Sequence, residues 1–154
     1  MEHHRILAID LGTRRIGLAV CDALGITAQG LPTLERSSRR EDFFRLGKVI
    51  HQNQVAEIVL GDPIRMSGEA GAASDRSQKF AELLRARFGL PVHLLDERLT
   101  SAEAHRVLDE ASVPGRRRKQ MIDELAAVLI LQQFLARRET RQSLGEGDAA
   151  EPGT

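Results

Sequence analysis

Ile6-Leu7-Ala8-Ile9-Asp10-Leu11-Gly12-Thr13-Arg14-Arg15-Ile16-Gly17-Leu18-Ala19-Val20-Cys21 is the stretch whose reading decides the fold. An apolar run ends at Asp10, Leu11 to Arg14 supplies a Gly-containing turn, and a second apolar run follows from Ile16 to Cys21. Two short apolar runs of strand length around such a turn read as an antiparallel β-hairpin. The hairpin carries a carboxylate at the carboxyl end of its first strand. Working outward, residues 26–34 predict a third strand, broken or bent at Gly30-Leu31-Pro32 because proline cannot donate to a ladder and is tolerated mainly at edges.

The period then changes. Ser38-x-x-Glu41 has capping-box spacing, and Phe43, Leu46, Val49 and Ile50 follow at helical intervals. Val55 to Leu60 is short, β-branched and bounded by Gly61, as expected of a strand covered on both faces of a parallel sheet. Residues 61–74, with Gly61, Pro63, Gly68 and Gly71, are too punctuated for regular structure and predict a mobile loop. A helix over 74–88, with Phe80, Leu83, Leu84 and Phe88 on one stripe, stops at Gly89, and residues 91–96 predict a fifth strand. Thr100-x-x-Glu103 opens another helix that ends near Pro114-Gly115, with Arg116 to Lys119 in or just after the break. The last helix is predicted over 120–138, apolar nearly all round in its middle. The order β-β-β-α-β-α-β-α-α implies an α/β fold, a mixed five-stranded sheet with three antiparallel strands, then parallel ones, and helices on both faces.

Composition sets the outer bounds. The chain has 154 residues, of which 42% are hydrophobic and 29% charged, fractions of an ordinary globule with one core. Residues 1–138 are expected to form a single domain, and the Gly, Glu, Ala, Pro and Ser of 139–154 a disordered tail. The longest apolar run, Leu125 to Leu131, is far short of the ~20 residues of a membrane span, and Met1-Glu2-His3-His4 lacks signal-peptide character, so a cytoplasmic location is expected. Cys21, the single cysteine, reads as a buried thiol in a reducing compartment.

The 22 basic and 22 acidic residues balance, so attraction for nucleic acid would have to be local. Clusters exist at Arg14-Arg15, at Arg36 with Arg39-Arg40, at Arg116-Arg117-Arg118-Lys119, and at Arg137-Arg138 with Arg141. Trp and Tyr are absent and Phe numbers five, which favours reading of backbone and shape over bases.

Asp10 ends the first strand, Asp62 the fourth and Asp96-Glu97 the fifth. If those three run parallel, their carboxyl ends share the edge where open α/β sheets bind ligands. Asp123 joins them from the last helix, because Ala126, Ala127 and Ile130 at i+3, i+4 and i+7 give it an apolar, small-residue face that can approach the sheet. Carboxylates crowded together repel unless a cation intervenes. Oxygen ligation without a His or Cys set favours Mg²⁺ or Mn²⁺, and two such ions would suit phosphodiester hydrolysis. Taken singly, Asp10 could be a turn residue, Glu97 a partner of Arg98, and Asp123 a first-turn helix charge.

Asp10-Leu11-Gly12-Thr13-Arg14-Arg15-Ile16-Gly17-Leu18-Ala19, Asp96-Glu97-Arg98-Leu99-Thr100-Ser101 and Asp123-Glu124-Leu125-Ala126-Ala127 with Ile130-Leu131-Gln132, in that order, resemble the YqgF/RuvX family of Holliday junction resolvase-like proteins, regarded as pre-16S rRNA processing nucleases. The resemblance covers about residues 4–138. It implies a ribonuclease H-like fold with Asp10, Glu97 and Asp123 as the catalytic, metal-binding set. Where the family usually has an apolar residue, Gly61-Asp62-Pro63 holds a carboxylate, either a fourth ligand or a solvated loop charge. Arg15, Arg98, Arg116, Arg117, Arg118 and Lys119 are candidates for phosphate contacts, with structural ion pairs or a solvated charge run as the alternatives.

The activity expected is a metal-dependent endo- or exonuclease acting in rRNA processing and ribosome biogenesis, as a monomer or homodimer. The alternatives are a resolvase of four-way DNA junctions and a non-catalytic RNA- or ribosome-binding module. Asp10-Leu11-Gly12-Thr13 also resembles the first phosphate loop of actin-like ATPases and sugar kinases, but 154 residues do not supply the second lobe those proteins need.

Overall fold

The computed structural model describes residues 5–62, 71–96, 106, 109 and 115–149. The side chains of residues 73, 115, 116, 118–120, 122, 123 and 140–149 lie outside that description. The described elements are β1 (Arg5–Leu11), β2 (Arg15–Cys21), β3 (Ala28–Glu35), α1 (Arg39–Gln52), β4 (Val55–Asp62), α2 (Ala72–Phe88), β5 (Val92–Asp96) and α3 (Gly115–Ala149). Of the expected helix from Thr100, Arg106 and Asp109 are described and helical; the rest of it, and residues 63–70 of the expected loop, fall outside the described residues.

β1 and β2 form the antiparallel hairpin read from the sequence, in the register Ala8 to Ala19, Asp10 to Gly17 and Leu11 to Ile16. Its turn closes with the Gly12 N–H donating to the Arg15 carbonyl at 2.9 Å. A Cβ on Gly12 would stand 2.6 Å from that same carbonyl oxygen, so the turn admits no side chain there. Arg36 pins the turn from outside, its Nη1 donating to the Gly12 carbonyl at 3.0 Å and its N–H to the Arg14 carbonyl at 2.7 Å.

β3 lies at the edge beside β2, where a proline is tolerated. Ile16 pairs with Leu34 but Leu18 with Leu31, so β3 carries one extra residue around Pro32. The predicted break is thus a bulge within a continuous strand.

The sheet order is β3-β2-β1-β4-β5, with β1, β4 and β5 mutually parallel. Strand alternation divides its side chains between two faces. Leu7, Ile9, Ile16, Leu18, Ile58 and Leu60 pack with Phe43 and Leu46 of α1 and Phe80 and Leu84 of α2. Ile6, Ala8, Ala19, Cys21, Val59 and Leu95 pack with Ala127, Ile130 and Leu131 of α3. Alanines on both sides of the second interface allow helix and sheet to approach closely. Cys21 is buried there, accepting the Ile6 N–H on Sγ at 3.1 Å, and burial pushes its thiol pKa up. It is a core residue.

The helix ends follow the sequence signals. Ser38 caps α1 by accepting the Glu41 N–H on Oγ at 3.1 Å, and Gly89 ends α2 at φ 66°, a left-handed conformation open to glycine. Two boundaries differ from expectation. α2 begins at Ala72, two residues before the predicted Ser74. α3 begins at Gly115 and continues through Ala149, into the segment whose composition predicts a tail. A helix already nucleated on the core adds a hydrogen bond for each residue fixed, so Glu139, Arg141, Gln142 and Leu144 extend it readily.

Candidate active site

The carboxyl ends of β1, β4 and β5 lie along one edge, as their parallel pairing requires, and they bring Asp10, Asp62 and Asp96 there. The three carboxylates do not share a face. Asp10 continues the Ile6, Ala8 series and lies on the α3 face. Asp62 continues Ile58 and Leu60, and Asp96 continues Val92, which places both on the α1 and α2 face. Asp62 and Asp96 are register partners across β4 and β5.

Asp10 is half-buried. Its antiparallel neighbour Gly17 sets no side chain beside the carboxylate on the α3 face. Arg15 stands at the same end of β2, in the alternation series of Gly17 and Ala19. It is the candidate phosphate-binding residue that strand geometry places on Asp10's face and edge. Position 123 belongs to α3, with Ala126, Ala127 and Ile130 of its stripe buried against the sheet. The Asp123 side chain, together with Glu97 and Arg98, lies outside the described residues. Among those described, no three His, Cys, Asp or Glu side chains gather as a metal ligand set.

Asp62 is neither a loop residue nor solvated. It ends β4 and is only 7% exposed, with Oδ1 accepting the Ser74 hydroxyl at 2.6 Å. Ser74 sits in the first turn of α2, whose N-cap Gly71 makes no side-chain cap bond. The Asp62 carboxylate therefore anchors the positive end of that helix, where a negative charge is favourable.

The basic run also takes a different setting from the one predicted. Gly115 to Gln120 is helical, so Arg116, Arg117, Arg118 and Lys119 form the first turns of α3 rather than a break before it. Arg117 is exposed.

Two charged clusters escaped the sequence reading. Asp42 in the first turn of α1 is buried, accepting the Ser37 N–H at 2.9 Å and bonding Arg45 at 3.0 Å. Glu57 is 8% exposed on the α3 face near the start of β4, paired with Nε2 of His93 at 2.7 Å and with both Nη atoms of Arg138. The Arg138 guanidinium and His93 hold its carboxyl at about 2, well below the usual carboxylate value. This cluster lies at the end of the sheet opposite Asp10 and ties α3 to β4 and β5. Its one sequence signal was a glutamate inside the apolar run Val55 to Leu60.

The fold matches that of a solved structure. Thermus thermophilus RuvC, solved with a Holliday junction substrate, superposes with TM-score 0.52 at 17% identity, covering 88% of this chain and 96% of that one. The shared fold is ribonuclease H-like. In sequence the likeness is much closer. A Koribacter versatilis protein named "Putative pre-16S rRNA nuclease" is 54% identical over 136 residues, covering 88% of this chain and 89% of its own. A Thermoanaerobacter pseudethanolicus protein of the same name is 44% identical over 132 residues, covering 85% and 95%. The profile of the family described as "RuvX: Holliday junction resolvase" matches residues 4–137, which span all five strands and the packed part of α3. With the hairpin, the sheet edge and most of the last helix inside that match, the chain belongs to the RuvX family.

Proposed function

We propose that the chain is a divalent-metal-dependent nuclease that processes the precursor of 16S rRNA, with Asp10, Glu97 and Asp123 as its catalytic carboxylates. The observation that carries this reading is the position of Asp10: half-buried at a strand end, on the face that α3 covers, at the edge where β5 hands the chain on to Glu97. Asp96 lies on the face opposite Asp10, which supports the choice of its neighbour Glu97. The direction of α3 supports Asp123. Arg138 is tied to Glu57 at the far end of the sheet, and the helix back to position 123, about 22 Å at 1.5 Å per residue, leads away from that tie. Asp62, engaged with Ser74, stands outside the set.

The donor chemistry fits Mg²⁺ or Mn²⁺, since carboxylate oxygens without His or Cys suit hard cations. Bound there, two ions would neutralise charge on the scissile phosphate and lower the pKa of the attacking water. The chain's own contributions are positional. The Gly12 turn holds Asp10 at the strand end, and Arg15 on the same face is suited to a flanking phosphate. No described helix is long and apolar enough to cross a membrane.

The test is purified protein with a labelled pre-16S rRNA fragment and a four-way DNA junction in parallel, each with Mg²⁺, Mn²⁺ or chelator. Metal-dependent cleavage of the RNA that disappears in Glu97→Gln is expected. Cleavage of the junction alone would move the assignment to recombination intermediates, and cleavage of neither would leave a binding module.

A further inference from the structure

A second surface stands apart from the carboxylate edge. Along the outer side of β5, between the last turns of α2 and the middle of α3, runs a groove of about 390 Å³. Arg85 of α2, His93 and Leu94 of β5, and Phe134, Arg137 and Arg138 of α3 line it, and no Asp or Glu is among its described lining residues. Arg85 and Arg137 are exposed, one from each helical layer. Arg85 is held in place by donating to the Val92 carbonyl.

The floor is aromatic. His93 and Phe134 lie with ring centroids 5.2 Å apart, and the Arg138 guanidinium covers Phe134 at 4.7 Å. Glu57 fixes both His93 and Arg138 from behind, so this floor is rigid before anything binds. Arginines for phosphates, with a ring and a guanidinium plane for bases, are the combination that holds unpaired RNA. An acidic peptide would use the arginines and leave the ring platform without a role.

From the structure we infer that this groove is a binding track for single-stranded RNA, one that receives the segment flanking the cleavage site. The inference rests on the nucleic-acid reading of the chain's function. Continuity with the active edge supports it. The groove follows β5 from Val92 to Leu95, and the next residue, Asp96, ends the strand at the carboxylate edge. His93 and Asp96 are about 10 Å apart along the strand, close enough for one RNA strand to occupy both regions. Arg137-Arg138 thereby acquires a role that the net charge of the chain did not suggest.

The experiment measures binding of a short unstructured RNA oligonucleotide in chelator, where no cleavage occurs, to the wild-type protein and to Arg137→Glu, Arg85→Gln and Phe134→Leu. Turnover of a dinucleotide phosphodiester, too short to reach the groove, is followed in metal. Affinity should fall about tenfold or more in Arg137→Glu and Phe134→Leu, with dinucleotide turnover unchanged and a shallower salt dependence for Arg137→Glu. A 4-thiouridine crosslink should map to β5 or α3. Wild-type affinity in both α3 variants, or stronger competition from poly-glutamate than from RNA, would overturn the inference. RNA binding through the groove with no cleavage of any substrate would sink the nuclease assignment and leave the track standing.

Discussion

Arg138 of α3 and Glu57 of β4, separated by 81 positions in the chain, meet in a two-pronged pair at the end of the sheet opposite Asp10. With His93 they hold the last helix across β4 and β5, so the turns of α3 that precede Arg138 are set relative to the strand ends. A planar guanidinium gripping both oxygens of one carboxylate restricts orientation as well as distance.

This pair should leave a signature in acid. The Glu57 carboxyl titrates at about 2 when folded and near its ordinary value of 4.5 when unfolded. A lowered folded pKa means that the stabilisation is complete above pH 4.5 and is lost as pH falls through 2. Glu57→Gln should cost on the order of 2 kcal/mol at neutral pH, reduced from a fully buried pair because Arg138 is partly exposed. Denaturant melts of both proteins between neutral pH and pH 2 should show the two curves converging toward the acid end.

Asp10→Asn should abolish metal-dependent cleavage, by about 100-fold or more, because a charge needed in the transition state is removed. Its melting temperature without metal should stay within a few degrees of wild type. Adding Mn²⁺ should raise the melting temperature of the wild-type protein, by up to about 3 kcal/mol of stabilisation at a hundredfold excess over its dissociation constant, and leave that of the variant unmoved. Equal metal stabilisation of both proteins would remove Asp10 from the ligand set.

Asp62→Asn should behave in the opposite way. Its carboxylate serves Ser74 and the start of α2, so the variant should lose about 1–3 kcal/mol of stability while the folded fraction cleaves at close to the wild-type rate. Ser74→Ala should produce a similar loss, and the double variant should show non-additive costs in chemical denaturation. A rate collapse in Asp62→Asn comparable to that of Asp10→Asn would return Asp62 to the catalytic group.

Gly12→Ala should weaken both properties together. The added methyl meets the Arg15 carbonyl oxygen at 2.6 Å, and relieving that contact opens the turn that positions Asp10 and Arg15. A loss of about 1–3 kcal/mol is expected, with a matching fall in turnover measured well below the melting transition.

Much of this was legible in the residues. The hairpin around Gly12, the cap at Ser38 and the stop at Gly89 rest on contacts within a few positions, which turn chemistry encodes directly, and the strand ending near Gly61 was legible from its unbroken β-branched apolar run. The helical setting of Arg116 to Lys119 was misread because Pro114-Gly115 reads as a stop and serves equally well just before a helix start. The bulge at Pro32 was visible as an interruption, but not whether the strand would break or bend.

What the amino-acid sequence determined by itself was the order of elements and the arrival of acidic residues at strand ends, since alternation and helical period are local properties of the chain. Tertiary structure decided which acids keep company. It put Asp62 and Asp96 on the face opposite Asp10, gave Asp62 to Ser74, and joined Glu57 to Arg138. The physical reason is that one step along a strand reverses a side chain's face, and a pairing across 81 positions exists only once sheet and helix have packed.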